Sequence, residues 1–285
     1  MMTGKVDMDQ NLTFVLSGGG ARGSLQVGAL YALLEAGYRP DMLVGVSIGA
    51  VNAAFLALHG FSRQSLDRLK SSWLESMQIN LLPSNYIWLA VRAMLHRSSN
   101  DPAHRIRDFF ISNGITPELT FGDLKELRLV IVSADLNTGQ PVLHGLKPYE
   151  KVLDALLIST ALPPWVMPVK DKDHYYVDGG VVSNLPVEPA IRAGAGQIIA
   201  LDLLDARGVQ GFGMHLPEFF DKLTMATEKR HLTLELELAD ARGVPTQYIG
   251  LTGSTSVPFW DFSKTPELIE EGYRIAHEAL DQYRA

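Results

Sequence analysis

Apolar residues fall into short runs and helical spacings along this chain, and glycine-rich turns cut them apart. Leu12-Thr-Phe-Val-Leu16 reads as a short buried strand, and Ser17 to Gly23 as a Gly-rich turn. Leu25 to Ala36 has helical spacing, with Gly37 as its natural stop. Met42 to Val46 predicts a second strand and Ile48 to His59 a second helix. Strand, helix, strand, helix with short connections implies a parallel sheet with right-handed crossovers. Arg63 to Asn113 reads as helical and contains the aromatic segment Tyr86-Ile-Trp88. Leu129 to Ala134 and Gln197 to Leu203 predict further strands, and Tyr175 to Val177 a shorter one. Near the end, Thr265 as cap, Pro266 in first position and Glu267 behind it open a helix running to Tyr283. No repeat, low-complexity linker or boundary interrupts the pattern. The expectation is one α/β domain over residues 1–285, with a motif-bearing part, 12–203, and a helical C-terminal part, 204–285.

Composition narrows the function. The 285 residues are 46% hydrophobic and 20% charged, enough for a sizeable core. The formal net charge is −7 and no block of Lys and Arg stands out, so nucleic acid is not an expected partner. There is no Cys, which excludes disulfides, thiolate nucleophiles and cysteine metal sites, and allows a reducing compartment. Met1 to Asn11 lacks the apolar run of a secretory signal. Met42 to Ser62 carries no Asp, Glu, Lys or Arg, but its glycines, Ser47 and Asn52 fit a buried strand, turn and helix better than a membrane span. A cytoplasmic location follows as the expectation, with membrane contact no more than peripheral. Oligomeric state is left open.

Two glycine turns carry the candidate chemistry. Gly18-Gly19-Gly20-Ala21-Arg22-Gly23 fits G-x-G-x-x-G, the fingerprint that cradles a dinucleotide pyrophosphate. That reading needs an acidic residue at the end of the second strand, and Asp41 precedes that strand. What ends the strand is Ser47, inside Gly45-Val46-Ser47-Ile48-Gly49, a G-x-S-x-G between strand and helix. There the flanking glycines, Gly45 and Gly49, let the backbone turn sharply and present the hydroxyl. The following helix points its N-terminus at the site, where partial positive charge favours an oxyanion. In a parallel sheet both turns share one edge, so Gly18, Gly19 and Gly20 offer bare N–H groups beside Ser47.

These residues resemble the patatin-like phospholipases. That family pairs G-G-G-x-[RK]-G with G-x-S-x-G and a later D-G-[GA], here Gly18 to Gly23, Gly45 to Gly49 and Asp178-Gly179-Gly180, in family order. Ser159-Thr-Ala161-Leu-Pro163 looks like the family's S-x-A-x-P element, and Asn184-Leu-Pro186 like the segment after its aspartate. The resemblance implies a three-layer α/β/α fold with a mostly parallel central sheet, and a Ser47–Asp178 dyad. It implies acyl hydrolysis of lipid esters without metal or cofactor, and an oxyanion hole around Gly18, Gly19, Gly20 and Arg22.

Rival readings stay in view. Asp178 could be a simple turn aspartate, and Asp135 and Asp202 also sit near strand ends; sequence chemistry alone does not choose among them. Arg22 could hold the glycine loop or make a surface ion pair. A Ser-His-Asp triad would recruit His215 or His231, neither in a recognisable motif. Trp88 could form an interfacial lip, but core packing is the better reading; the same holds for Phe212, Phe219 and Phe220. Other functions on the table are a thioesterase or general carboxylesterase, a nucleotide-binding protein, and a catalytically silent lipid-binding protein.

Overall fold

The computed structural model describes residues 11–78, 101–205 and 216–284. The described strands are β1 (Leu12–Leu16), β2 (Met42–Val46), β3 (Arg128–Asp135), β4 (Gln140–His144), β5 (Val169–Asp171), β6 (His174–Asp178), β7 (Gln197–Leu204) and β8 (Thr246–Thr252). They form one sheet in the order β5-β6-β3-β2-β1-β7-β8, with β4 on β3. β1, β2, β3, β7 and β8 pair in parallel, and β4, β5 and β6 are antiparallel additions. The described helices are α1 (Gly23–Glu35), α2 (Ile48–His59), α3 (Arg63–Ser76), α4 (Asp101–Ser112), α5 (Val152–Ser159), α6 (Val187–Arg192), α7 (Leu216–Ala241) and α8 (Thr265–Arg284).

The sheet is covered on both faces, which is why its central strands read as unbroken apolar runs. Phe14, Leu16, Leu43, Ile131 and Leu201 share one core with buried residues of α1, α2, α3, α4, α5 and α8. Val15, Val44, Val46, Val132 and Ala200 share the other with Leu185, with Val187 and Ala190 of α6 and with Ala239 of α7. The result is the expected three-layer α/β/α architecture. Met42 to Ser62 forms β2, the Ser47 turn and α2, and no described helix is long and apolar enough to cross a membrane.

The C-terminal part departs from expectation. Residues 204–285 are not all helical: Thr246 to Thr252 form β8, parallel to β7, and extend the sheet. Thr265, the expected cap, is already inside α8; Asp261 caps the 3-10 turn before it, and the Thr265 hydroxyl donates back to Phe262 O at 2.8 Å. α8 then crosses α1 with the two backbones nearly touching. A Cβ on Gly28 would lie 1.9 Å from Ile269 O, and one on Gly272 would lie 2.0 Å from Leu25 O. The segment Tyr86 to Trp88, together with Phe212 and His215, lies outside the described residues, as do the side chains of Phe219 and Phe220.

The α1–α8 crossing gives a direct check. Gly272→Ala forces the helices apart and is expected to lower stability by about 1–3 kcal/mol, the usual cost of overpacking. Urea denaturation measures it, and an unchanged midpoint would contradict the close approach.

Candidate active site

Ser47 sits at the junction of β2 and α2 with φ 52° and ψ −126°, a left-handed φ uncommon for a residue with a side chain. The flanking glycines make that turn feasible. A Cβ on Gly45 would lie 2.5 Å from Gly49 O, and one on Gly49 would lie 2.2 Å from Leu16 O. The turn leaves Ser47 at the N-terminus of α2, where the helix dipole is positive.

Asp178 reaches Ser47 because of how β3 is shared. β4 occupies one edge of β3 along residues 131–135. The opposite edge is divided: β2 pairs there up to Val46↔Val132, and β6 takes over at Asp178↔Ser133. β2 runs parallel to β3 and β6 antiparallel, so their C-terminal ends meet head-on at the step from Val132 to Ser133. Ser47 and Asp178 are the residues at that meeting point. The Ser47 hydroxyl lies near enough to the Asp178 carboxylate to lower its proton affinity, and Gly180 N–H donates to Asp178 Oδ1 at 2.8 Å. Burial pushes the Asp178 carboxyl up to about 6, opposed by the Ser47 hydroxyl and the Gly180 N–H. The competing acids are engaged elsewhere. Asp135 binds His174 Nδ1 at 2.7 Å, and Asp202 accepts from Tyr248 at 2.9 Å.

The segment 159–161 braces both partners. Ser159 Oγ donates to Val132 O at 2.7 Å and accepts from Ser47 N–H at 3.0 Å. Ala161 O accepts from Asp178 N–H at 3.0 Å. The sequence element Ser159-Thr-Ala161 was visible, but its task was not, since nothing in a sequence shows that one carbonyl and one hydroxyl face two distant turns.

The glycine turn closes the site from β1. Gly18 N–H donates to Asn184 O at 3.1 Å, so it is occupied; the expected oxyanion set narrows to Gly19 and Gly20, whose N–H groups find no partner among the described residues. Arg22 lines the same cavity and braces the glycine turn. Its Nε donates to Gly19 O at 3.3 Å, and its Nη1 pairs with Asp205 at 3.4 Å, so it fastens the turn to the end of β7. Glu235 on α7 secures the other flank, accepting short hydrogen bonds from Ser183 Oγ and Glu188 N–H on either side of Asn184.

A cavity of about 440 Å³ opens at these residues. Gly19, Gly20, Ser47 and Asp178 stand at its polar end, while Val51, Phe55, Leu69, Trp73, Ile106 and Phe110 give it apolar walls. Its size fits a small-molecule or acyl-chain site. No described histidine lines it; His231 lies on α7 away from the cavity wall. No group of three or more His, Asp or Glu suited to a metal occurs among the described residues.

The fold and this elbow, glycine turn and D-G-G arrangement define one family. The family model described as Patatin-like phospholipase matches residues 14–191, more than half of the chain, and the chain belongs to that family. It is 30% identical over 190 residues to YqhO of Bacillus subtilis, covering 61% of this chain and 64% of that protein. It is 28% identical to lysophospholipase nte1 of Aspergillus terreus, covering 96% of this chain and 18% of the other. Human patatin-like phospholipase domain-containing protein 6 is 31% identical across 67% of this chain and 13% of its own length. The chain thus spans under two thirds of each of these relatives. Among solved structures, human GIVD cytosolic phospholipase A2 with methyl gamma-linolenyl fluorophosphonate superposes with a TM-score of 0.51 at 11% identity, over 95% of this chain and 58% of that one, a likeness of fold.

Two outcomes are expected from this geometry. Ser159→Ala loosens the elbow and should lower the rate of Ser47 acylation by roughly tenfold with little change in Tm, read by stopped-flow labelling with a fluorophosphonate. Asp178→Asn should stabilise the protein above neutrality. A carboxyl raised in the folded state favours folding fully below its unfolded value near 4, and that contribution is lost as pH rises through about 6. Raised from 3.8 to about 6, Asp178 costs about 3 kcal/mol once ionised. Denaturation at pH 8 should show that gain for the variant, narrowing toward pH 4; an equal gap at both pH values would contradict the buried carboxylate.

Proposed function

We propose that this chain is a serine acyl hydrolase that cleaves carboxylic ester bonds of lipid substrates through a Ser47–Asp178 dyad. The observation that carries the reading is the left-handed Ser47, sharing the polar end of an apolar cavity with the buried Asp178 carboxylate. Membership of the patatin-like phospholipase family supports the same substrate class.

On this reading an acyl chain lies along Val51, Phe55 and Leu69 and brings its ester carbonyl to Ser47. Asp178 accepts the hydroxyl proton as Oγ attacks. The N–H groups of Gly19 and Gly20, with the α2 N-terminus behind Ser47, stabilise the oxyanion. The leaving alcohol takes the proton from Asp178; water then gives a proton to the same carboxylate as it attacks the acyl-enzyme, and that proton passes to Ser47 Oγ as the acid is released. A carboxylate is a weak base for an alcohol, so the raised value of Asp178 matters: it moves the base closer to the operating pH. Val181, which lines the cavity, and Leu223, next to the cavity residue Thr224, are half exposed and suit peripheral contact with lipid.

The test is hydrolysis of a p-nitrophenyl ester series, phospholipid vesicles and acyl-CoA by wild type and Ser47→Ala. Wild type should hydrolyse esters and take one fluorophosphonate adduct at Ser47. The variant should lose at least about 1000-fold in kcat. kcat/KM should rise with pH through about 6 as Asp178 ionises. Faster turnover of acyl-CoA than of phospholipid would reassign the substrate to a thioester. Retained activity in Ser47→Ala would end the proposal.

A further inference from the structure

Three buried side chains beneath the glycine turn have no part in the scheme so far. Asn52 on α2 and Gln26 on α1 are both 0% exposed, and Trp73 on α3 is 5% exposed. They form one directed relay. Trp73 Nε1–H donates to Asn52 Oδ1 at 2.9 Å. Asn52 Nδ2 donates to Gly23 O at 3.1 Å and to Gln26 Oε1 at 3.0 Å. Gln26 Nε2 donates to Ser17 O at 2.9 Å and, more weakly, to Leu201 O at 3.5 Å. An indole N–H can only donate, so Asn52 must turn its oxygen to Trp73 and its amide hydrogens to Gly23 and Gln26. That choice in turn forces Gln26 to present its own amide hydrogens to Ser17. Every link therefore has one orientation.

The two main-chain acceptors bracket the oxyanion turn. Ser17 immediately precedes Gly18-Gly19-Gly20, and Gly23 closes the 3-10 turn that follows them. At the other end of the relay, the Trp73 ring forms part of the acyl cavity wall and rests on Gly23, where a Cβ would lie 2.9 Å from Trp73 Cζ2. Burying two amides is costly unless they are satisfied, and helices packed by apolar residues alone would need no such chain. Here its hydrogen bonds tie the cavity wall to both ends of the turn that aims the Gly19 and Gly20 N–H groups.

We infer that Asn52 and Gln26 are positioning residues for the oxyanion turn, and that Trp73 makes them responsive to the acyl chain, so that a chain seated against the ring raises turnover as well as affinity. The inference rests on the hydrolase reading above. Chains that stop short of Trp73 leave the ring, and with it the relay, free to shift. Chains that reach it hold Asn52 and Gln26 fixed, and the turn stays aligned with the developing oxyanion. Acyl-length preference would then appear in kcat and not only in KM.

The experiment compares wild type, Asn52→Leu and Trp73→Phe on p-nitrophenyl esters from acetate to decanoate. Asn52→Leu keeps the volume and removes the relay; kcat should fall about tenfold to a hundredfold across the series, with KM within about twofold. Trp73→Phe keeps a ring and removes the donor; its loss in kcat should grow with chain length, flattening the rise seen in wild type. Folded variants with wild-type kcat, or losses that track a lowered Tm and fall on KM alike, would overturn the inference. Hydrogen exchange of the amides from Ser17 to Gly23 gives a readout free of turnover. Faster exchange in either variant supports the relay, and unchanged exchange overturns it. A wild type that hydrolyses esters and labels at Ser47 while both variants match it removes this inference alone. A wild type that neither hydrolyses nor labels removes the hydrolase reading, and the exchange result still decides whether the relay holds the turn.

Discussion

The step from Val132 to Ser133 on β3 is the constraint on which the site depends. One edge of a single strand holds the end of a parallel strand and the end of an antiparallel one, so residues far apart in sequence face each other across a peptide unit's width. This requires β6 to enter antiparallel; a parallel β6 would present its N-terminal end there instead. It also requires β3 to be long enough for two partners on one edge, with β4 occupying the other. Ser159 then uses the Val132 carbonyl as an anchor for Ser47 N–H, and Ala161 takes Asp178 N–H. The positions of the proposed nucleophile and base follow from backbone pairing, not from long side chains, and this is the kind of rigidity a proton transfer requires.

Electrostatics oppose this arrangement and also make it useful. For a carboxylate closed off from water, burial is opposed only by the Ser47 hydroxyl and the Gly180 N–H among the described residues, so burial wins and its proton affinity rises. The left-handed backbone at Ser47 adds strain of about 1–3 kcal/mol. Both costs concentrate where the site has its chemistry, while the surrounding core of strands buried on two faces supplies the compensating stability. Arg22 and Glu235 contribute by holding loops, Arg22 through the Gly19 carbonyl and the Asp205 carboxylate, Glu235 through the Ser183 hydroxyl and the Glu188 N–H.

The parallel strands and the elbow were legible because their apolar runs and glycine punctuation are local. Leu12 to Leu16, Met42 to Val46 and Ile48 to His59 form the elements that the pattern predicts. β4 and β5 were not visible, since Gln140 to His144 and Val169 to Asp171 are half-buried or exposed and carry no apolar run. β8 was lost in a C-terminal part read as helical; Thr-Gln-Tyr-Ile-Gly-Leu-Thr is polar for a strand, and its Gln247 and Thr246 are buried only because β7 lies beside it. Asp178 was inseparable from Asp135 and Asp202 on local grounds, because all three read as lying near strand ends, although Asp202 sits inside β7. Only strand pairing distinguishes them. Gly19 and Gly20 were the better N–H candidates from sequence, but the partner that occupies the Gly18 N–H was not legible, because the Asn184 carbonyl comes from far along the chain.

The most direct measurement is a high-resolution crystal structure of the chain after reaction with a long-chain alkyl fluorophosphonate. The account requires phosphorus on Ser47 Oγ, the phosphonyl oxygen on the Gly19 and Gly20 N–H groups, and an Asp178 oxygen within about 2.6–3.2 Å of Oγ. The alkyl chain should run into the cavity past Val51 and Phe55. A histidine bonded to Oγ in place of Asp178, or a phosphonyl oxygen turned away from the glycine turn, would contradict it.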